Sequence, residues 1–570
     1  MQHNFQTFAQ RVLSYGKSQP DSLACIYQAQ GPETAIELSY RELRDKVLDR
    51  AALLTQQGFA GKNVALIYPT GIDFVINFIA CLYVSVTAVP LNLSRNQQQF
   101  SRTLGAIKDA NVQGILTTQQ TEDYIRTSLF DLGFNTASLS WVNENMISDE
   151  VTAERVIPPN QLAFIQYTSG STSKPKGVMV TQSNIIHNQE SIRQACGHKL
   201  GTIAGGWLPQ FHDMGLIGHM MQPLYLGGTY VFMPPMKFIQ RPRRWLELIS
   251  KYRLNSSASP NFGYEHCVKF IPEREDLSDI NLSSWRVALN GSEPVNAETI
   301  RQFSNRFKKY GFNPTAFFPC YGMAETTLFV SGGPVGSGLK TQKVDSVAFE
   351  KGKIEPLTGD RHKEVISCGD LSPGFDIKIV NPNTHLECNP GEIGEIWLKG
   401  DSVASGYWNN EAATENIFKS KIVGFDDSHY LSTGDMGYSH EGELYITGRI
   451  KELIIVRGRN IYPYDIEWTC KNYDFSSGHA AVTSVEIDGR IFLGAVIEIK
   501  KTALRDQDRN EMELDLKGMV MDEHDVALDI VILAKPSFIP RTTSGKIQRT
   551  RCKELIISAL NELYEGKQHA

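Results

Sequence analysis

Residues 167–181, which read YTSGSTSKPKGVMVT, have the composition of an anion-binding loop. An apolar run, LAFIQ, precedes this stretch and a β-branched run, VMVT, ends it, so the polar residues are predicted to join two buried strands. Glycine permits positive φ, which lets successive N–H groups point into one concavity, and hydroxyl groups add further donors. Two lysines flank Pro175, which disfavours helix at the residue before it. The candidate phosphate ligands are Thr168, Ser169, Gly170, Ser171, Thr172 and Lys174, and Lys176 is a candidate catalytic residue.

Two other motifs compete for this stretch, and the spelling decides against both. A Walker A loop requires GxxxxGK[ST], whereas here the second lysine precedes the second glycine. Residues 171–174 do spell SxxK, a signature of β-lactamase-like enzymes, but no KTG or SDN occurs elsewhere. A flexible hairpin tip rich in Ser and Gly remains the alternative without function.

Five further motifs follow in order along the chain, namely GSEP (291–294), YGMAE (321–325), STGD (432–435), GRIKELI (448–454) and PRTTSGKIQR (540–549). Together with the loop they resemble the adenylate-forming superfamily, which includes acyl-CoA synthetases, firefly luciferase and the adenylation domains of peptide synthetases. The resemblance implies ATP and Mg²⁺ as cofactors. It also implies that a carboxylate attacks the α-phosphorus of ATP while pyrophosphate leaves, a step that needs donors around the phosphates and a divalent cation.

The resemblance gives most motif residues a role in nucleotide binding. Glu325 is implied as the magnesium ligand, and Tyr321 is implied to stack on adenine opposite Gly291, where glycine allows close approach. Asp435, helped by Arg449, is implied to accept hydrogen bonds from the ribose hydroxyls. Taken alone, these residues would be a helix cap, a core tyrosine and a turn-forming aspartate. The remaining candidates in the two central motifs are Ser292, Glu293, Pro294, Gly322, Met323 and Ala324.

Two lysines in the last third of the chain are implied to act in the first half-reaction and in the change to the second. Lys546 resembles the lysine that bridges the substrate carboxylate and the α-phosphate, a role suited to a compact ammonium group. Lys451 matches the hinge about which the C-terminal domain turns between the two half-reactions. Without the family, Lys451 would be a surface lysine, and the basic residues at 541, 546, 549, 551 and 553 a solvated or partner-docking patch.

Residues 207–232, WLPQFHDMGLIGHMMQPLYLGGTYVF, are typical of a pocket for an apolar tail, although a plain buried core fits them equally well. Amino-acid-activating relatives have Asp after the Phe of this motif. Here His212 takes that place, which argues against an amino-acid substrate, while the adjacent Asp213 leaves the point open. We take His212 as a candidate catalytic residue. The predicted pocket residues are Phe211, Asp213, Met214, Gly215 and Gly227.

The wording WLPxxHDMGLIG resembles fatty acyl-AMP ligases, which load fatty acids onto acyl carrier proteins. Between Glu325 and Gly369 lie 44 steps of chain, roughly twice the gap expected in acyl-CoA synthetases, which predicts an insertion at about 330–366. In the ligases that the chain resembles, such an insertion packs between the domains and hinders the turn needed for CoA. Arg459 is a second departure, since CoA-using relatives often have glycine or an aromatic residue there.

The predicted reaction is therefore the activation of a medium- or long-chain fatty acid to acyl-AMP, followed by acyl transfer to the phosphopantetheine thiol of an acyl carrier protein. Two alternatives stay open. One is a fatty acyl-CoA synthetase that uses free CoA, and the other is a non-enzymatic nucleotide sensor built on an inactive ligase. The basic segment 541–553 is a candidate docking surface for an acidic carrier.

Composition limits the remaining possibilities. A chain of 570 residues exceeds the roughly 250–300 residues at which single cores stop growing, so two or more domains are expected. A net charge of -6 argues against nucleic acid as a partner. Nine cysteines without a CxxC pair, and a start that lacks the pattern of a signal peptide, favour a cytoplasmic location. The uncharged residues 74–94 are predicted to be a buried helix and a core strand instead of a membrane span.

The order of patterns predicts an α/β fold. Strands and helices alternate from the capping box of Ser39 and Glu42 onward, as in doubly wound subdomains, and short strands with turn signals after about residue 364 predict a β-rich subdomain. We expect a large N-terminal domain over 1–448, a hinge at 449–452 and a small mobile α+β domain over 453–570.

Overall fold

A computed structural model describes residues 6–29, 34–94, 97–148, 156–168, 176–357, 359, 361–370, 374–456, 458–487, 490–541 and 547–568. The helices in these ranges are α1 (Phe8–Ser18), α2 (Tyr40–Gln56), α3 (Ile72–Tyr83), α4 (Gln97–Asp109), α5 (Gln119–Asp131), α6 (Gln182–Ala195), α7 (Gln222–Tyr225), α8 (Pro235–Gln240), α9 (Arg243–Tyr252), α10 (Asn261–Phe270), α11 (Ala297–Phe307), α12 (Ser346–Glu350), α13 (Glu411–Phe418), α14 (Pro463–Lys471), α15 (Lys501–Asp506), α16 (Arg509–His524) and α17 (Arg549–Gln568).

The strands of the same ranges are β1 (Leu23–Gln28), β2 (Ala35–Ser39), β3 (Asn63–Leu66), β4 (Thr87–Pro90), β5 (Gly114–Leu116), β6 (Ser140–Val142), β7 (Leu162–Thr168), β8 (Lys176–Thr181), β9 (Ile203–Gly206), β10 (Thr229–Phe232), β11 (Ser256–Ser259), β12 (Val287–Asn290), β13 (Phe317–Gly322), β14 (Phe329–Gly332), β15 (Thr341–Asp345), β16 (His362–Asp370), β17 (Phe375–Val380), β18 (Gly394–Gly400), β19 (Leu431–His440), β20 (Glu443–Arg449), β21 (Ile454–Val456), β22 (Arg459–Ile461), β23 (Ser476–Ile487), β24 (Arg490–Ile499) and β25 (Ile530–Ala534).

Two largely parallel sheets form the first part of the chain. One has the strand order β14-β13-β12-β11-β9-β10-β1-β2 and the other β6-β5-β3-β4-β7-β8. The inner pairs are parallel, whereas β1/β2, β13/β14 and β7/β8 are antiparallel. Helices connect successive strands and cover the sheets, so the four strand residues of β3 are all buried, as expected for a parallel sheet. The doubly wound α/β prediction is confirmed.

Local sequence signals correctly predicted two elements at the start of the chain. The hydroxyl of Ser39 accepts a hydrogen bond from the Glu42 N–H, and the Glu42 carboxylate accepts one from the Ser39 N–H, which completes the capping box of α2. Residues 74–94 supply the buried helix α3 and the core strand β4, as predicted. None of the helices in the described part of the chain has the length and apolar character that crossing a membrane requires.

The second half of the chain holds the β-rich part and the small α+β part. The β-rich sheet, β15-β16-β20-β19-β18-β17, is antiparallel throughout. After β20 ends at Arg449, a 3₁₀ turn over Ile450–Glu452 leads into the hairpin β21/β22 and the sheet β23-β24-β25, which α14, α16 and α17 cover. This order confirms the predicted fold class, while the mobility of the C-terminal part and the limits of the three regions stay predictions.

The predicted insertion contains β15 and α12, and its residues contact the C-terminal part. The rings of Phe349 and Tyr462 lie 5.2 Å apart. Glu350 forms two hydrogen bonds with the Arg459 guanidinium, at 2.7 and 3.0 Å. Since β15 also pairs with β16, this segment links the β-rich sheet to the hairpin β21/β22.

Candidate active site

The two ends of the predicted phosphate loop lie opposite each other in the hairpin β7/β8. Thr168, the last residue of β7, is the antiparallel partner of Lys176, the first residue of β8. The predicted strands on both sides of the loop are therefore confirmed. The five candidates between them, Ser169, Gly170, Ser171, Thr172 and Lys174, lie outside the described residues.

Asp109, at the end of α4, braces this hairpin. Its carboxylate accepts a hydrogen bond from the Tyr167 hydroxyl at 2.5 Å, and its carbonyl oxygen accepts one from the Trp408 indole at 3.1 Å. The backbone N–H of Trp408 donates to the carbonyl oxygen of Gly177 at 2.7 Å. A Cβ at Gly177 would contact the Tyr167 ring at 3.0 Å, so glycine lets the ring lie across the hairpin. Asp109 belongs to no motif, and we find no signal in the sequence that would have identified it.

Tyr407 links Lys176 to Glu325. The ammonium of Lys176 lies 4.6 Å from the centre of the Tyr407 ring, and the Tyr407 hydroxyl donates to the Glu325 carboxylate at 2.7 Å. The backbone of 405–408 pairs with β8, which holds the ring in place. Tyr407 is 5% exposed and was not predicted as a site residue. Its position after the glycine of SGYWN was the only available hint.

Burial and neighbouring charges shift the pKa values of Glu325 and Lys176. Burial raises the pKa of Glu325, and the hydrogen bond from Tyr407 opposes that shift. Burial lowers the pKa of Lys176, and the nearby ammonium of Lys451 lowers it further, while Glu325 acts in the opposite direction. Lys451 lies in the 3₁₀ turn after β20, so the candidate hinge lysine is close enough to Lys176 to lower its pKa.

Glu325 follows β13 in a tight turn whose shape depends on Gly322. A Cβ at Gly322 would overlap the carbonyl oxygen of Leu328, and the N–H of Met323 donates to that same oxygen at 2.9 Å. Ala324 is buried at the start of the 3₁₀ turn that contains Glu325. Since Mg²⁺ commonly binds through one or two carboxylates plus substrate phosphates and water, one carboxylate here fits it. No group of three or more His, Cys, Asp or Glu side chains in the described ranges could hold a metal without such help.

Tyr321 near the end of β13 and Arg449 at the end of β20 meet Asp435 in the middle of β19. Asp435 and Arg449 are direct partners across β19/β20, and the Arg449 Nε donates to the Asp435 carboxylate at 2.9 Å. The Tyr321 hydroxyl donates to the other carboxylate oxygen at 2.7 Å. Asp435 is 5% exposed. The structure therefore brings the candidate adenine and ribose residues together, and Asp435 is held by two donors.

Glu395 of β18 supports this cluster from behind. Its two oxygens accept hydrogen bonds from the Gly434 N–H and from the Trp397 indole, at 2.7 and 2.8 Å. Gly434 has φ +74°, a conformation that favours glycine, directly before Asp435. Glu395 therefore holds the turn that directs Asp435, although no pattern marked it as a site residue.

The GSEP segment follows β12, at the carboxyl end of a parallel strand, where α/β sheets commonly bind ligands. A Cβ at Gly291 would contact the carbonyl oxygen of Cys320 at 2.8 Å, so this glycine allows β12 and β13 to pack closely. Ser292 has φ +70°, and Pro294 follows in the same turn. The Glu293 carboxylate accepts a hydrogen bond from the Phe262 N–H at 2.6 Å.

The candidate pocket segment is attached to β7. Gln166 donates to the carbonyl oxygen of Phe211 at 2.9 Å, two residues before the phosphate loop begins. The imidazole Nδ1 of His212 lies 2.6 Å from the Asp213 carboxylate, which also caps the N–H of Met214. Asp213 is therefore engaged within its own segment, which weakens the case for a substrate amine at this position.

A π-helix over Met214–Met221 continues from these residues, a form often found at functional sites. Gly215 lies against the carbonyl oxygen of Pro209, where a Cβ would overlap. Gly227 lies elsewhere, in a turn with φ +61° before β10, where a Cβ would meet the Tyr15 ring of α1 at 2.9 Å. The structure thus places Gly227 against α1.

Lys546 lies outside the described residues, but both ends of its loop are described. Arg541 and Ile547 form an antiparallel bridge, and the Gln548 N–H donates to the carbonyl oxygen of Pro540 at 2.9 Å. These contacts close the base of the loop.

The model of the AMP-binding enzyme family matches residues 13–408. JamA of Moorena producens (strain JHB), named a medium-chain-fatty-acid–[acyl-carrier-protein] ligase, is 37% identical over 94% of this chain and 93% of its own length. TtuA of Teredinibacter turnerae, which has the same descriptive name, is 33% identical over 95% and 92%.

Solved structures agree with these relatives. A fatty acid AMP ligase from Legionella pneumophila has a TM-score of 0.75 and 33% identity, with 97% of this chain and 96% of that chain covered. A structure from a study of fatty acyl-adenylate ligases of E. coli and L. pneumophila has a TM-score of 0.87 and 30% identity, with 98% and 99% covered. The chain belongs to the AMP-binding enzyme family.

Proposed function

We propose that this protein is a fatty acid adenylyltransferase that activates a medium- or long-chain fatty acid with ATP and transfers the acyl group to an acyl carrier protein. The first half-reaction forms acyl-AMP and releases pyrophosphate. In the second, the phosphopantetheine thiol of the carrier attacks the acyl carbonyl, and AMP leaves. The free thiols at all nine cysteines fit a reducing compartment, and we propose the cytoplasm.

One observation carries the proposal. Lys176, Tyr407 and Glu325 form one connected group, and Tyr321, Asp435 and Arg449 form a second, in a chain that matches named fatty acid ligases over more than nine-tenths of its length. The first group offers a cation and a carboxylate, and the second offers an acceptor between two donors. Together they suit a nucleoside triphosphate whose phosphates bind at the first group and whose ribose binds at the second.

Each residue has a part in the first half-reaction. The phosphate loop from Thr168 to Lys176 holds the leaving phosphates, and Glu325 would hold Mg²⁺, which would supply charge neutralisation at the phosphate oxygens. Asp435 binds the ribose hydroxyls, and Tyr321 stacks on adenine. Lys546 aligns the fatty acid carboxylate with the α-phosphate. The two reacting groups are then already in position, so their reaction no longer depends on a chance encounter.

The acceptor is inferred from the relatives and from the insertion. JamA and TtuA are both named for transfer to a carrier protein, whereas a Mycobacterium tuberculosis relative at 34% identity is named a putative fatty-acid–CoA ligase. Phe349 contacts Tyr462, which precedes α14, and Glu350 binds Arg459 of β22, so both connect the insertion to the part that would have to turn. These contacts favour the carrier protein over free CoA as the acceptor.

The test supplies purified enzyme with dodecanoate, ATP and Mg²⁺, and with either CoA or a phosphopantetheinylated carrier protein. We expect fatty-acid-dependent exchange of pyrophosphate into ATP, acyl-AMP that persists in the presence of CoA, and acylated carrier. Lys546→Ala should abolish acyl-AMP formation and leave ATP binding largely in place. Abundant acyl-CoA would show that free CoA is the acceptor, contrary to the proposal. Absence of pyrophosphate exchange would refute adenylation itself.

A further inference from the structure

Helix α4 contacts β7 next to the predicted phosphate loop and also Gln548, two residues after Lys546. Asp109, at its C-terminal end, binds Tyr167 beside the phosphate loop. Arg102, two turns earlier, donates from Nη2 to the side-chain oxygen of Gln548 at 3.0 Å. Seven helical residues span about 10 Å, so one rigid element sets the separation of the two loop bases.

Gln548 is the residue through which α4 reaches the Lys546 loop. Its backbone N–H donates to Pro540, its side-chain amide donates to the carbonyl oxygen of Arg541, and its side-chain oxygen accepts from Arg102. All three bonds lie at the base of the loop, two residues after Lys546. Gln548 therefore closes the loop and docks it on α4 at the same time.

The docking contact is built to be reversible. Arg102 is exposed, and its partner is a neutral amide, so the bond lacks the strength of an ion pair. Partial burial lowers the pKa of Arg102, and the like charge of Arg551, in the first turn of α17, lowers it further. A weak bond opposed by a like charge can hold a domain in one arrangement without preventing it from leaving.

We propose that Arg102 is a positioning residue that docks the base of the Lys546 loop against the N-terminal part during adenylation and releases it for acyl transfer. The proposal rests on the proposed function, because it assumes the role of Lys546. Arg102 and Gln548 belong to parts that must move relative to each other if the C-terminal part turns, whereas Asp109 and Tyr167 both belong to the N-terminal part. Loss of Arg102 should therefore affect one half-reaction and spare the other.

The experiment measures the half-reactions separately in the full-length enzyme. Fatty-acid-dependent pyrophosphate exchange reports adenylation, and acyl transfer from added dodecanoyl-AMP to a phosphopantetheinylated carrier reports the second step. We expect Arg102→Met to lower the exchange kcat roughly fivefold, as loss of one weak docking bond would, with the KM for ATP and the transfer rate within about twofold of the parent. Arg102→Lys, which keeps a cationic donor, should recover at least half of the loss.

Further variants complete the test. Arg41→Met removes an exposed arginine that pairs with Asp21 far along the chain from these loops, and it should leave both half-reactions unchanged. Gln548→Met removes the same bond from the other side, so the double variant Arg102→Met/Gln548→Met should be no slower in pyrophosphate exchange than Gln548→Met alone. Thermal unfolding and circular dichroism would show whether each variant folds as the parent does.

The outcomes separate the two proposals. A parent enzyme that forms no acyl-AMP would overturn the proposed function. A parent that forms acyl-AMP, with an Arg102→Met variant equal to it or one that loses both half-reactions in the same proportion, would overturn the role of Arg102 alone.

Discussion

Replacement of Asp435 by Asn tests the candidate ribose site with almost no change in shape. The carboxylate accepts hydrogen bonds from Tyr321 and Arg449, whereas an amide has one uncharged oxygen and one NH₂ group, so the Tyr321 hydroxyl would have to accept and the charge that would bind the ribose hydroxyls is lost. Hydrogen bonds to a charged group contribute about 1.5–3 kcal/mol. Because the Arg449 side chain is 51% exposed, water can replace its partner, and we expect a loss at the lower end, about 1.5–2 kcal/mol. This corresponds to a roughly 10–30-fold fall in kcat/KM for ATP.

The assay is fatty-acid-dependent pyrophosphate exchange at varied ATP and fixed dodecanoate. Since the ribose would lie away from the reacting α-phosphorus, the KM for ATP should rise and kcat should change by less than about threefold. Asp376→Asn is the matched control, because Asp376 accepts a hydrogen bond from Tyr430 at 2.7 Å in the same sheet. If Asp435→Asn keeps a KM for ATP within twofold of the parent, or if the control loses as much, our assignment of the ribose site is wrong.

Three other changes test different parts of the structure. Tyr407→Phe keeps the ring beside the phosphate loop but removes the hydroxyl that binds Glu325, so the Mg²⁺ concentration for half-maximal pyrophosphate exchange should rise roughly threefold or more, and an unchanged value would exclude this role. Burial raises the pKa of Glu498, but its hydrogen-bond partners outweigh burial and lower it to about 2. At pH values above the pKa of an unfolded glutamate, the ionised Glu498 therefore stabilises the C-terminal part. The stability difference between the parent and Glu498→Gln, about 2 kcal/mol by urea unfolding at pH 7, should shrink as the pH falls from about 4.5 toward 2, and a constant difference would contradict the linkage. Glu350→Ala breaks the pair with Arg459, so acyl-CoA formation should increase severalfold if the insertion restrains the turn, as chromatography of the products would show.

The sequence alone was sufficient where the signal is local. The apolar and β-branched runs on either side of residues 169–175 predicted β7 and β8, because a short apolar run bounded by turn residues is a local signal for a buried strand. The same reasoning identified the capping box at Ser39 and the buried helix α3. The alternation of strand and helix patterns predicted the α/β fold class, and six motifs in order predicted the family; the structure and the relatives confirm both.

Only the tertiary structure decided which side chains meet. Tyr321 and Asp435 are 114 residues apart, Tyr407 and Glu325 are 82 apart, and Arg102 and Gln548 are 446 apart. No local pattern marks Asp109 or Glu395, and Tyr407 has only its position in SGYWN, since each becomes important through partners that the packing of separate sheets brings close. The physical reason is that propensity and periodicity act over a few residues, whereas the site is assembled from the ends of strands in different sheets.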